Sequence, residues 1–378
     1  MQKVLNGLTQ FWNLIKNLPK KFPRFMASVY SVLIGILIGF IVMLIFNPQG
    51  AFPGLIKMFA GGLTIGNKGI GDMLLQAAPI ILTGTALVIT FKSGLFNIGA
   101  SGQMIVGAYV ATYIGVLWHL PSGLHWIVAL ILGTLAGAVW GAIPGLLKAF
   151  RNVNEVVSSI MLNYIGMFLV IYLVKTNIYN ASYAKSQDIL QTAELPLLSF
   201  LFGSSKANIG IFIAIFVAII IHFIFKYTVL GYELKATGFN PEASRYVGMN
   251  SKRNIVVSFI LSGSLAGLAG AIQFLVVGTN LGITHTLLPG GFDGISVALL
   301  GQLEPIGAVI AGIFLSHIRL GGFYMQVHGF PPQIIEIIVA IIVYTTSISA
   351  GISLYLRRRK AKKQINQQKV GDGEWISS

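Results

Sequence analysis

Apolar runs close to 20 residues long recur from one end of the sequence to the other, and they decide which solvent the chain folds in. A helix rises about 1.5 Å per residue, so about 20 residues cross a hydrocarbon core about 30 Å thick. The runs fall at 30–46, 72–90, 97–118, 127–147, 156–174, 209–225, 255–277, 292–300, 306–318 and 332–349. The eighth and ninth are short and glycine-rich, which suits a half-inserted or broken helix. Composition agrees: 10% of residues are charged and mean hydropathy is +0.79, whereas soluble domains carry about 25% charged residues. The expected fold is all-α, a polytopic membrane protein of about ten transmembrane segments. Its transmembrane part covers 27–351.

Orientation follows the basic residues rather than net charge. With the N-terminus in the cytoplasm, 20 of the 26 Lys and Arg fall on cytoplasmic pieces. These are the N-terminal segment, Lys92, Lys148 with Arg151, the loop from Lys226 to Arg253, and the C-terminal tail. An even number of crossings then leaves both termini in the cytoplasm. Residues 1–26 read as a basic interfacial segment, since they lack the small-residue cleavage site of a signal peptide. Residues 352–378 read as a basic tail, with "RRRKAKK" against anionic lipid head groups. The formal charge of +15 is thus a topology signal. Nucleic acid is not an expected partner, because the charge is spread over separate loops without aromatic interleaving.

Chemistry of the enzymatic kind finds no residues to carry it. The chain has no cysteine, and its six histidines lack zinc-motif spacing. Most of the eleven acidic residues sit in loops or at span ends. Asp293 and Glu336 are the only weak candidates for the intramembrane carboxylate that an ion-driven carrier needs. A transport subunit that is not an enzyme, and binds no cofactor itself, is the expectation.

One stretch breaks the apolar pattern. "FKSGLFNIGASGQMIVGAY", 91–109, sets polar residues and glycines between two spans. Irregular backbone at membrane depth is tolerated where it is buried in protein or lines a wet cavity. Asn97, Ser101 and Gln103 offer uncharged donors and acceptors, Phe96 a stacking face, and Asn163 and Gln273 further amides inside spans. These six form the expected solute path. The alternative is that such groups merely bridge helices, and the same two readings apply to Gln76. Asn154 and Glu155, at the cytoplasmic start of the fifth span, suit a gate or a cytoplasmic contact. Gly102-Gln103 and Gly107-Ala108 recur as Gly301-Gln302 and Gly307-Ala308, a short hint of an inverted repeat.

The cytoplasmic loop 227–253 has its own punctuation. Asn240, Pro241 and Glu242 are an N-cap, a proline at the first helical position and an acid at the positive helix end, and Gly248 supplies a stop. A helix of about seven residues is too short to stand alone in water. It needs something to pack on, either its own protein or a soluble partner.

"GYELKATGFNPEASRYVGMN" resembles the cytoplasmic coupling segment of ATP-binding-cassette (ABC) importer permeases in the branched-chain amino acid, ribose and nucleoside group. The pattern is matched by Gly231, Leu234, Lys235, Ala236, Gly238, Asn240, Ala243 and Gly248, with Ser244 at its second alanine. "NEVVSSIMLNYIG", "GLFNIGASGQMIVGAY" and "GFDGISVALLGQLEPIGA" extend the similarity over about 70–350. The Phe-Asn-Ile-Gly run is closer to the nucleoside and simple-sugar branch, although Ser101 stands where that branch often has Glu. The resemblance implies a multi-pass permease of a bacterial cytoplasmic membrane that translocates nucleosides, with a simple sugar as the alternative solute. It also implies an ABC ATPase subunit using ATP and Mg, a second related permease forming a heterodimer, and an extracytoplasmic solute-binding lipoprotein that meets loop 176–208. An ion-gradient-driven carrier or channel is the rival from another class.

Overall fold

The computed structural model describes residues 23–345. The basic tail, and the interfacial segment apart from 23–26, lie outside the described residues. The helices are α1 (Pro23–Phe46), α2 (Pro48–Ala60), α3 (Gly66–Lys92), α4 (Ala100–Leu117), α5 (Leu124–Arg151), α6 (Glu155–Asn177) and α7 (Ser199–Phe202). They continue as α8 (Gly210–Tyr227), α9 (Val229–Phe239), α10 (Pro241–Tyr246), α11 (Ser251–Phe274), α12 (Pro289–Leu300) and α13 (Pro305–Met325), then α14 (Pro332–Thr345). Among the described residues, seven helices are long and apolar enough to cross a membrane: α3, α4, α5, α6, α8, α11 and α13. The chain is a multi-pass, all-α membrane protein.

The contacts divide the chain into two compact units. In the first, α1 and α14 form an antiparallel pair. Gly35 and Gly39, one turn apart, let Ile342 and Ile338 of α14 approach the α1 backbone, the small-residue packing that bilayers favour in place of a hydrophobic driving force. Thr345 Oγ1 donates to the Ser31 carbonyl at 3.0 Å at one end, and Asn47 Nδ2 to the His328 carbonyl at 3.1 Å at the other.

The second unit, Ile56–Met325, is built around α3. Every residue from Ala77 to Thr90 is buried, as expected of a helix apolar on all sides. Beside it α4, α5 and α11 meet on a glycine surface: Gly133, Gly137 and Gly141 of α5 face Gly263 and Gly267 of α11, and Gly107 of α4 closes the triangle. At one end of this unit two ion pairs gather, Lys92 with Glu304 and Lys148 with Glu155, together with α9 and α10. This is its basic end.

As the short, glycine-rich eighth run suggests, α12 has 12 residues, about 18 Å of helix, too short to span. Other elements differ from the sequence reading. α13 runs to Met325 rather than stopping at 318, and Arg319 sits inside it beside Asp293. α2 was not foreseen, nor was α9. Gly102 and Gln103 lie in the first turns of α4, whereas Gly301 and Gln302 form the turn after α12, so the short repeat does not place equal residues in equal conformations.

Candidate solute cavity and coupling segment

A half-open cavity of about 330 Å3 lies between α3, α11, α12 and α13, at the low end of the ~300–1,000 Å3 typical of small-molecule sites. Its apolar wall is Leu75, Pro79, Ile80 and Val276; its polar groups are Gln76, Gln273, Thr279, Asp293 and Arg319. Pro79 is tolerated within α3, and Pro289 and Gly290 begin α12 at the cavity wall. Both terminal nitrogens of Arg319 donate to the two carboxylate oxygens of Asp293. The fork matches guanidinium to carboxylate and cancels their charges.

Toward the basic end, the start of α12 is bonded to α3 and α4. Thr83 Oγ1 donates to the Gly290 carbonyl at 2.9 Å and Ser101 Oγ to the Leu288 carbonyl at 2.8 Å. Gly291 and Gly294 lie so close to the backbones of Ser101 and Thr83 that a Cβ at either would collide. These bonds come from the two helices flanking the irregular stretch 93–99.

That stretch is held from within. Asn97 is 1% exposed; its Nδ2 donates to Ser262 Oγ at 2.9 Å and Gln103 Oε1 at 3.1 Å, while its Oδ1 accepts from the Gly99 amide at 2.9 Å. Asn163 Oδ1 accepts from the Gly102 amide at 2.7 Å and its Nδ2 donates to the Ile98 carbonyl at 3.0 Å. Amides thus satisfy the backbone groups that a helix start would leave bare in lipid. Of the six residues expected along the solute path, Gln273 lines the cavity. Asn97, Ser101, Gln103 and Asn163 bond the chain's own groups behind it, and half-exposed Phe96 stacks on Phe91 at 5.2 Å.

The cytoplasmic loop of the sequence reading is two helices. Thr228 caps α9, accepting from the Gly231 amide at 3.2 Å. Asn240 caps α10, accepting from the amides of Glu242 and Ala243 at 3.0 and 3.1 Å, with Pro241 in its first turn. α10 has six residues. Leu234 is fully buried, and Gly231 lies flat against the end of α8. Gly238 packs directly on Lys92, Ser93 and Gly94, so α9 touches the first residues of the irregular stretch. Lys235 and Ala236 are half-buried, while Ala243 and Gly248 are exposed. Phe239 and Tyr246 are each 91% exposed and Val247 71%. Asn154 caps α6 through Val156 and Val157, and Glu155 pairs with Lys148 at 2.9 Å.

The model of a family described as "Branched-chain amino acid transport system / permease component" matches residues 69–347. The chain belongs to this permease family. It is 33% identical over 348 residues to the "Guanosine ABC transporter permease protein NupP" of Bacillus subtilis, covering 91% of this chain and 99% of that one. The "Nucleoside ABC transporter permease protein NupB" of Lactococcus lactis is 33% identical over 91% of this chain and 96% of its own. The "Glucose ABC transporter permease protein TsgB13" of Haloferax volcanii is 30% identical over 83% and 85%. No solved structure matches. As an ABC permease the chain is a transport component and not an enzyme, and membership of the family implies an ABC ATPase and a binding protein beside it.

At the end of the permease away from Lys92, a small hairpin pairs Tyr179 with Ser186 and Asn180 with Lys185. Asn280 clamps it: Lys185 Nζ donates to Asn280 Oδ1 at 2.8 Å, and Asn280 Nδ2 donates to Ser186 O, Gln187 O and Asp188 Oδ1. Thr279, next in sequence, lines the cavity. Nearby in the chain, burial holds the Glu194 carboxyl above its ordinary value. Arg319 and Asn280 were not singled out from sequence. Arg319 carried a usable signal, a lone cation inside an apolar run with one acid in the preceding run.

Proposed function

We propose that this permease carries nucleosides into the cell, driven by ATP hydrolysed with Mg on a separate ABC ATPase. The observation that carries this reading is the cavity: two glutamines, a threonine and a self-neutralised ion pair face an apolar wall. Uncharged hydroxyls and base edges can exchange their water for such groups, and the apolar wall suits a flat base. The names of two of the relatives point to the same solutes.

The basic end faces the cytoplasm of a bacterium in this reading, as its Lys and Arg favour. The ATPase docks on Phe239, Tyr246 and Val247, apolar side chains that a soluble partner would cover. Its movement reaches the cavity through Gly238 on Lys92–Gly94, then Asn97 and Ser101, then the start of α12. A second, related permease completes a heterodimer, and an extracytoplasmic binding lipoprotein delivers solute to the hairpin end. A simple sugar is the second reading, favoured by the glucose permease among the relatives.

Uptake of labelled uridine, adenosine and guanosine, with and without the gene, tests the solute. Gene-dependent uptake of at least one, abolished by Gly238→Pro with Ala243→Arg while the protein stays in the membrane, is the expected result. Unchanged nucleoside uptake would pass the assignment to sugars. Uptake that survives the loop change and follows an ion gradient would remove the ATPase from the mechanism.

A further inference from the structure

The Asp293–Arg319 pair poses a question of its own. A buried ion pair is rarely more stabilising than apolar residues of the same shape, so its worth to the protein has to be sought elsewhere. Among the described residues, the two are the only charged side chains lining the cavity, and they come from the half-length helix α12 and from α13. Asp293 is 8% exposed as a residue, and the Arg319 side chain is 30% exposed.

We infer that this pair is a charge filter: it lets the cavity accept uncharged nucleosides and refuse their phosphorylated or carboxylated forms. The inference rests on the cavity being the solute site. A solute anion that approached Arg319 would meet the Asp293 carboxylate already on both guanidinium nitrogens, and would bring a second negative charge into low dielectric. Like charges there repel far more strongly than in water. A solute cation would compete with Arg319 for Asp293 at similar cost. A neutral solute leaves the pair intact and can still use its outer lone pairs and N–H groups, so the filter adds hydrogen-bonding edges without net charge.

Removing one member should therefore invert selectivity rather than merely weaken binding. Asp293→Asn leaves a guanidinium without its counter-ion beside the start of α12, where helix polarity also favours an anion. Arg319→Gln leaves a carboxylate, which favours a cation. Asp293→Asn combined with Arg319→Gln restores neutrality.

Thermal melting of the purified importer complex in detergent tests this without the binding protein, which would otherwise select the solute first. A ligand that binds the folded state raises Tm in proportion to the logarithm of its concentration over Kd. The probes are uridine, adenosine and guanosine, their 5′-monophosphates, and 5′-amino-5′-deoxyuridine as the cation. Wild type is expected to be stabilised by at least one nucleoside and not by its monophosphate. Asp293→Asn should shift the monophosphate-to-nucleoside affinity ratio at least tenfold toward the monophosphate, Arg319→Gln the ratio for the amine, and the double variant should prefer the neutral solute again. Each variant addresses the filter separately, so misfolding of Asp293→Asn leaves Arg319→Gln to decide. Equal stabilisation of wild type by nucleoside and monophosphate, or folded variants with unchanged ratios, overturns the filter alone. If no nucleoside shifts Tm of a complex whose cellular uptake is intact, or if Gln273→Trp leaves the shift unchanged, the cavity assignment fails and takes the filter with it.

Discussion

Lys92 Nζ lies 2.7 Å from Glu304 Oε1, and this ion pair ties the end of α3 to the residue before α13. The irregular stretch after α3 and the turn after α12 therefore meet at one point, where Phe225 of α8 also lies under the Lys92 ammonium at 5.4 Å. The Glu304 side chain is 54% exposed, so solvent screens the pair and its contribution is below about 1 kcal/mol. Lys92→Gln should lower the melting temperature little. Lys92→Glu places two carboxylates together and should reduce uptake, with recovery in the swap Lys92→Glu, Glu304→Lys. A swap no better than the single reversal would show that the ammonium serves Phe225 rather than Glu304.

Two glycines of 227–253 should respond differently. Gly238 has the backbone of Lys92–Gly94 against it, so even the methyl of Gly238→Ala must push the irregular stretch or α9 aside. Gly248 has open space around it but a φ of +84°, where an L residue is strained by about 1–2 kcal/mol. Gly238→Ala should cost uptake severalfold at comparable membrane levels, and Gly248→Ala should chiefly reduce local stability. Both can be read by transport per unit of protein; equal, small effects would remove Gly238 from the transmission route.

Asn163 is a backbone cap placed in the middle of a membrane bundle. Asn163→Leu strands the Gly102 amide and the Ile98 carbonyl, at about 1–3 kcal/mol for each buried group left without a partner. Asn163→Asp keeps an acceptor for Gly102 but loses the donor to Ile98 and introduces a charge. Thermal melting in detergent should rank wild type above both variants. If Asn163→Leu melts with wild type yet loses uptake, the side chain serves solute rather than fold.

What the sequence made legible was what is local. Asn240, Pro241 and Glu242 announce a helix start because cap, proline and acid act within one turn. The apolar runs announce the spans for the same reason. α9 went unread because Thr228 caps a stretch with a glycine in its first turn and no proline or acid there. The ninth apolar run ends at 318, ahead of Arg319, whose counter-ion Asp293 stands 26 positions earlier, and pairing over that separation has no local signature. Asn97 and Asn163 stood out as polar residues in apolar surroundings, but their partners Ser262 and Gly102 lie 165 and 61 positions away. Single-chain patterning finds such residues and leaves their role open between solute and scaffold.

Asn280 offers the sharpest test of how the hairpin end is held. One side chain donates to two hairpin carbonyls and to the Asp188 carboxylate, and accepts from Lys185. Asn280→Asp is nearly isosteric and keeps the acceptor for Lys185, yet it loses every donor and sets a second carboxylate 2.8 Å from the first. Asn280→Ser loses reach but adds no charge. The aspartate variant should therefore loosen 179–188 more than the serine variant, although serine is the larger change in shape. Hydrogen exchange of the permease reads this directly, as faster exchange in the hairpin with α4 and α11 unchanged. Because Val276 and Thr279 line the cavity just before Asn280, the same variants should raise the solute concentration for half-maximal uptake while leaving the maximal rate less affected. Faster exchange without any change in uptake would separate the hairpin from solute delivery.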